Sequence, residues 1–294
     1  MQHVPFRELR MVRLTENGTE IRWLPSSFSV QVPHVAALDT VVASSGGLLT
    51  YERAAQTLSV GGKLEETAYR NLLTCYGNHA DRAVITGVLR ELRDKSLLYM
   101  PDEELHALET FARRIRGEIF FARRWFIVEG QAEYLLVHGL GRGLGYDLDE
   151  HGVSVIDAKN NGNPDTFASL ARALGIPWLA VVDGDAAGLG YVRAIAGRGF
   201  DAALVADRCK TLPAGTLEQQ LLADRLEPDL RVILLAIGQA DADTLDRQAL
   251  ERCLSKHKTR YAAELASRIS IEAALAQRMP QAFRDAITRL RGLT

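Results

Sequence analysis

The sequence reads as an α/β protein built on a mostly parallel sheet flanked by helices, with a largely helical segment before it and more helices after it. Three observations lead there. From Trp125 onward, short apolar runs alternate with stretches of helical period. One of those runs, Trp178–Val182, is almost wholly apolar, as a strand buried on both faces should be. Acids also follow two of the runs directly, at the strand ends where open α/β sheets gather their ligands.

The elements follow in order. Glu8 to Leu14 and Thr19 to Leu24 read as a hairpin around Glu16-Asn17-Gly18, because Asn-Gly supplies the positive φ angles of a tight turn. Two strands alone are marginal, so a larger sheet outside this chain is expected to receive them. From Val35 to Phe121 the pattern reads as helical, broken at Ser44-Ser45-Gly46-Gly47 and at Gly61-Gly62. Its last helix starts at Pro101-Asp102-Glu103-Glu104 and carries a stripe of Leu105, Leu108, Phe111, Ile115 and Ile119. Then come a strand at Trp125–Val128, a helix at Gln131–Leu140 and a strand at Val153–Ile156. A further helix starts at Asn163-Pro164 and stops at Gly175, ahead of the strand Trp178–Val182. Ala202–Val205 is expected to be a fourth strand and Val232–Ile237 another apolar strand, before three helical segments close the chain. The resulting division is 1–34 as a hairpin, 35–122 as a helical and dimerising segment, 123–230 as the catalytic α/β domain, and 231–294 as a strand and helices completing it.

Composition narrows the chemistry. A chain of 294 residues, 47% hydrophobic and 24% charged with net charge −2, has ample core and no global pull toward polyanions. No apolar stretch approaches a membrane span and the start lacks signal-peptide features, so a cytoplasmic protein is expected. Three separated cysteines, Cys75, Cys209 and Cys253, form neither a disulfide framework nor a zinc site, and none of the seven histidines has ligand spacing. A metal here must have oxygen ligands, which points to magnesium, manganese or calcium.

The acids supply such ligands. Glu129 ends the first α/β strand and Glu133 lies in the first turn of the next helix. Asp183 and Asp185 end the third strand, and their spacing of two places both on one side of it. Alone, Glu133 is what any helix start favours and Asp183-Gly184-Asp185 is an ordinary turn. Together, four carboxylates at one sheet edge repel each other unless a divalent cation sits among them. Thr216-Leu217-Glu218-Gln219 is a formal capping box, and Glu218, at that helix start, is a candidate further ligand. Lys256 and Lys258 lie in a short basic run that is either a solvated face or the source of a transition-state cation. Arg113, Arg114, Arg116, Arg123 and Arg124 either contact phosphates or form the polar face of the preceding helix. The chain has no Gly-x-x-x-x-Gly-Lys-[Ser/Thr] loop, and the glycines from Gly139 to Gly145 follow a helix instead of opening one, so neither nucleotide fingerprint is present.

A strand ending in Glu129-Gly130 and a later one ending in Asp183-x-Asp185 resemble the topoisomerase–primase (TOPRIM) fold. The finer pattern is similar to the overcoming-lysogenization-defect (OLD) nucleases. It comprises Val128-Glu129-Gly130-x-x-Glu133, the loop Asp157–Asn163, Asp183-Gly184-Asp185 and Leu212-Pro213-x-Gly215-Thr216-Leu217-Glu218. The likeness covers about Arg124 to Ala223, extends more loosely to Lys258, and departs at Asn160-Asn161, where the family often has glycine and lysine. It implies a TOPRIM-like sheet and cleavage of double-stranded DNA with two Mg²⁺ or Mn²⁺ ions, which stabilise the attacking and leaving oxygens of an in-line displacement. Glu129, Glu133, Asp183, Asp185 and Glu218 would hold the metals; Glu133 would also orient or deprotonate the attacking water, and Lys258, ahead of Lys256, would be the transition-state cation. The family normally carries an ABC-type ATPase ahead of this fold. Val4-Pro5-Phe6-Arg7-Glu8-Leu9-Arg10 resembles the strand that follows it, so a longer, homodimeric protein is expected. The competing readings are nucleotidyl transfer or strand passage, as in primases and topoisomerases, and a non-catalytic DNA-binding recombination mediator. A full carboxylate set speaks against the last.

Overall fold

The computed structural model describes residues 6–15, 18–77, 80–114 and 118–293, with the side chains of 13–15 and 111–114 left undescribed. The chain divides into two compact units, 1–106 and 107–294. Val4, Pro5, Glu16, Asn17, Ile115 and Arg116 lie outside the described residues, as do the side chains of Phe111, Arg113 and Arg114.

In the first unit, β1 (Met11–Thr15) and β2 (Gly18–Arg22) pair antiparallel, Val12 opposite Ile21, as the Asn-Gly signal implies. They form a separate two-stranded sheet, and Val12 and Ile21 remain exposed. The residues after Val35 are not helical throughout. Between helix α1 (Ala36–Ser44) and helices α2 (Glu66–Cys75) and α3 (Arg82–Ser96) runs a hairpin, β4 (Leu49–Glu52) and β5 (Thr57–Gly61). It joins β3 (Ser27–Gln31) in an antiparallel sheet of order β3-β5-β4. The cause is a period of two, hidden between the glycine breaks. Leu49, Leu58 and Val60 point inward onto Leu38, Val41, Leu72, Ile85 and Leu89, with Thr50 and Gly61 outward. Helix α4 (Asp102–Arg114) begins in this unit, runs past its end at His106, and follows the acidic start expected of it, with Leu105 and Leu108 buried.

The second unit is the α/β layer structure. Strand β6 (Arg124–Val128) leads into α5 (Gln131–Gly143), and β7 (Val153–Asp157) into the one-turn α6 (Ala158–Asn161) and α7 (Pro164–Leu174). Strand β8 (Trp178–Val182) is followed by α8 (Ala186–Gly197). The apolar residues at 202–205 open a helix, α9 (Ala202–Arg208), because Asp201 caps it by accepting from the amides of Ala203 and Leu204. The fourth strand is instead β9 (Cys209–Thr211), giving a fully parallel sheet of order β7-β6-β8-β9. The run at 232–237 also corrects to helix. It lies in α11 (Glu227–Ala236), behind α10 (Leu217–Ala223), where Leu230, Ile233 and Leu234 share one buried face at helical spacing. Helices α12 (Arg247–Lys256), α13 (Lys258–Ile271), α14 (Ala273–Arg278) and α15 (Gln281–Arg291) complete the unit.

Strand alternation sorts the core. Phe126, Val128, Leu179 and Val181 pack with residues of α5, α13 and α15, whereas Trp125, on the opposite face of β6, meets the ring of Phe167 from α7 edge-on. With both faces covered, the carboxyl ends of β6 and β8 form the open edge of the sheet.

Candidate metal and nucleic-acid site

Four sequence-predicted residues converge on one cavity of about 240 Å³ beyond β6 and β8: Glu129, Glu133, Asp183 and Lys258, beside Lys159 and Asn160. Val128 and Val181 are register partners, so the residues that follow them, Glu129 and Asp183, leave the sheet within two positions of each other. Glu129 ties the two strands together, its Oε2 accepting the amide of Asp183 at 3.1 Å. The carbonyl of Glu129 accepts from Lys159 at 2.8 Å, which docks the loop after β7 against the same edge. Within that loop Asp157 accepts from both Asn160 nitrogens, and Asn161 donates to the Asp157 carbonyl, so this sequence holds the loop with side-chain amides.

Close backbone contact fixes the other motifs. A Cβ on Gly184 would stand 2.0 Å from the Leu212 carbonyl oxygen, and one on Gly188 would stand 2.0 Å from that of Asp183. Gly184 also donates to the Gly215 carbonyl at 2.8 Å, fastening Asp183-Gly184-Asp185 to the turn before α10. The Thr216–Gln219 capping box is formed there. It starts the helix that carries Glu218, whose side chain is fully buried behind the cavity.

Glu218 has a hydrogen bond at one oxygen and an ion pair at the other. Tyr261, itself fully buried, donates to Oε1 at 3.0 Å, and the Lys258 ammonium stands 3.2 Å from Oε2. Tyr261 is the functional-looking residue that motif reading passes over. Its only signal is its position three residues after Lys258, on the same face of α13. Asp185 caps α8 by accepting from Gly188 at 2.9 Å and lies beside, not in, the cavity wall. Lys256 does not line the cavity. Of the arginines, Arg124 donates to the Leu293 carbonyl and thereby serves the fold.

The electrostatics are those of crowded acids. Burial pushes the Glu133 carboxyl up to about 7; its own backbone amide and Lys258 pull it down, and the charges of Glu218 and Glu129 add to the rise. Burial pushes Asp183 up to about 8, reinforced by Glu129 and Glu133. Lys258 loses some charge stability to partial burial, but Glu218, Glu133 and Asp183 outweigh that and raise its pKa. Asp183 Oδ1 is buried without a hydrogen-bond partner. Among the described residues, no three acid, histidine or cysteine side chains form a closed metal cage as they stand. Glu129 and Asp185 hold amides, and Glu218 holds Tyr261 and Lys258. The donor set still fits a hard divalent cation, since its oxygens are acidic, crowded, and in the case of Asp183 unsatisfied.

Residues 120–185 match the profile of the overcoming lysogenization defect protein-like TOPRIM domain. This segment is an OLD-like TOPRIM domain. TOPRIM domains generally bind divalent metals such as Mg²⁺. The uncharacterized protein YbjD of Escherichia coli (strain K12) is 33% identical over 93 residues, which is 32% of this chain and 17% of YbjD. The chain thus spans less than a fifth of that relative's length. Among solved structures, the C-terminal region of the Burkholderia pseudomallei OLD protein is 23% identical with a TM-score of 0.47, covering 58% of this chain and 98% of that one. The C-terminal region of the Xanthomonas campestris pv. campestris OLD protein is 25% identical with a TM-score of 0.44, covering 60% and 99%. No helix among the described residues is long and apolar enough to cross a membrane.

Proposed function

We infer that this OLD-like TOPRIM domain is a Mg²⁺- or Mn²⁺-dependent endonuclease that nicks or cleaves double-stranded DNA. The observation that carries the reading is the buried Asp183 carboxylate, its Oδ1 unpartnered, sharing one cavity with Glu129, Glu133 and Lys258. Glu129, Glu133, Asp183 and Asp185 would hold the metal ions, with Glu218 joining them if its contacts to Lys258 and Tyr261 open. Bound there, divalent cations supply charge stabilisation to the attacking and leaving oxygens of a phosphodiester.

The chain's own groups do the rest. Glu133, whose carboxyl is pushed up to about 7, would orient the attacking water and accept its proton. Lys258 stays protonated beside the acids and offers an ammonium to the charge that builds on the phosphoryl oxygens. Glu218 and Tyr261 hold that ammonium at the cavity wall. In this reading residues 123–230 form the catalytic domain, and the helices of 231–294 complete it by delivering Lys258.

Supercoiled plasmid incubated with the chain and Mg²⁺ or Mn²⁺ tests the proposal. Nicked and linear products that vanish on adding EDTA are expected. Closed relaxed topoisomers would instead indicate strand passage, and an unchanged plasmid would indicate a binding module; either result overturns the endonuclease reading.

A further inference from the structure

The cavity at the acids does not end there. Gln131 and Asn160, on its rim, also line a second cavity of about 530 Å³, which runs along the outer side of α5 past Tyr134 and His138 to Asp149 and Glu118. Tyr134, His138 and Asp149 in turn border a third cavity, of about 540 Å³, reaching α13. Shared walls make these one groove, and its middle section has the size of a small-molecule site.

The floor of that section has the features of a base-binding platform. Tyr134 and His138, one turn apart on α5, stack edge-to-face with centroids 4.9 Å apart, and Tyr134 keeps 37% of its surface exposed. His138 Nε2 is buried and has no hydrogen-bond partner, while its Nδ1 stands 3.8 Å from Asp149. Burial lowers the His138 pKa, Arg142 adding to the fall and Asp149 and Asp147 opposing it, which favours a neutral ring able to donate or accept. The side chains of Glu118, Asp149 and Asp157 make the wall acidic, so a phosphate is repelled from it. A base is not: carboxylates accept from the exocyclic amino groups of cytosine, adenine and guanine, and any base face stacks on an aromatic ring.

Resting on the endonuclease reading, we propose that this groove is a nucleobase subsite: it takes the base next to the scissile phosphate, turned out of its stack, against Tyr134 and the exposed part of the His138 ring, with the amides of Gln131 and Asn160 at its edge. The scissile phosphate then lies over the acids while its neighbouring base lies against Tyr134, the position after Glu133 in α5. Unpaired DNA, or duplex that opens easily, is the substrate class such a subsite favours, because turning a base out costs least there.

The test uses the whole chain and a single-stranded pentanucleotide with 2-aminopurine at its centre, titrated in CaCl₂. Saturable quenching of the base is expected with wild type and with Tyr134→Phe, and binding about tenfold weaker with Tyr134→Ala. His138→Ala is expected to weaken it as well, with circular dichroism melting showing both variants folded. Absence of quenching in the wild type, or equal titrations for wild type and Tyr134→Ala, overturns the subsite. Plasmid cleavage measured in parallel separates the two ideas: cutting without quenching removes the subsite alone, and quenching without cutting removes the endonuclease reading while the base site stands.

Discussion

Replacing Glu133 by glutamine should make the metal-free protein more stable at alkaline pH while removing its metal-dependent activity. The carboxyl rises from 4.5 to about 7 on folding, chiefly through burial. At about 1.4 kcal/mol per unit, ionised Glu133 costs the fold about 3 kcal/mol above pH 7. Because the folded value is the higher one, the stabilising proton is fully in place below pH 4.5 and is lost as pH rises through about 7. Glutamine keeps the shape and can still accept from the Glu133 backbone amide, but its own amide must be desolvated, which leaves a gain of about 1–3 kcal/mol. For a unit the size of 107–294 that is roughly 3–10 °C in Tm at pH 8, shrinking toward zero at pH 4. Thermal melts of both proteins in EDTA from pH 4 to pH 9 measure it. A melting temperature at pH 8 that is unchanged or lower in Glu133→Gln would refute the claim that this carboxylate is buried among like charges. Added Mg²⁺ should raise the Tm of the wild type more at pH 8 than at pH 6, and that response should weaken in the variant.

Other substitutions read the neighbouring contacts. Lys258→Ala should leave DNA binding intact and slow single-turnover cleavage about 10²-fold; an unchanged rate would shift the transition-state role to Lys256. Tyr261→Phe removes the donor to buried Glu218 and should cost about 1–3 kcal/mol in denaturant unfolding, with cleavage slowed and the Km for DNA unchanged. Gly184→Ala places a methyl 2.0 Å from the Leu212 carbonyl and should lower stability by about 2 kcal/mol or more, a loss that an equally stable variant would contradict.

What could be read from sequence followed the range of the interactions. The strands β6, β7 and β8 showed themselves as apolar runs, and the acids at their ends needed only local spacing to be placed at one edge. The hairpin of β4 and β5 was hidden because four- and five-residue strands between glycines carry too few alternations to outweigh the surrounding helical pattern. Residues 202–205 and 232–237 are apolar enough for strands, and only the Asp201 cap and the buried face of Leu230, Ile233 and Leu234 decide for helix. The clamp on Lys258 was illegible in sequence, because Tyr261 meets Glu218 across 43 positions and nothing local marks the pair. The groove along α5 was equally hidden, since it is made by cavities that share walls from separate elements.

The most direct measurement is the rate of plasmid nicking in Mg²⁺ by the wild-type chain and by Asp183→Asn, side by side. The substitution leaves size and backbone contacts in place and removes a cavity carboxylate whose buried Oδ1 has no hydrogen-bond partner. Metal-dependent nicking by the wild type and a fall of at least about 10²-fold in the variant are expected. Equal rates for the two proteins would contradict the assignment of this sheet edge as the catalytic metal site.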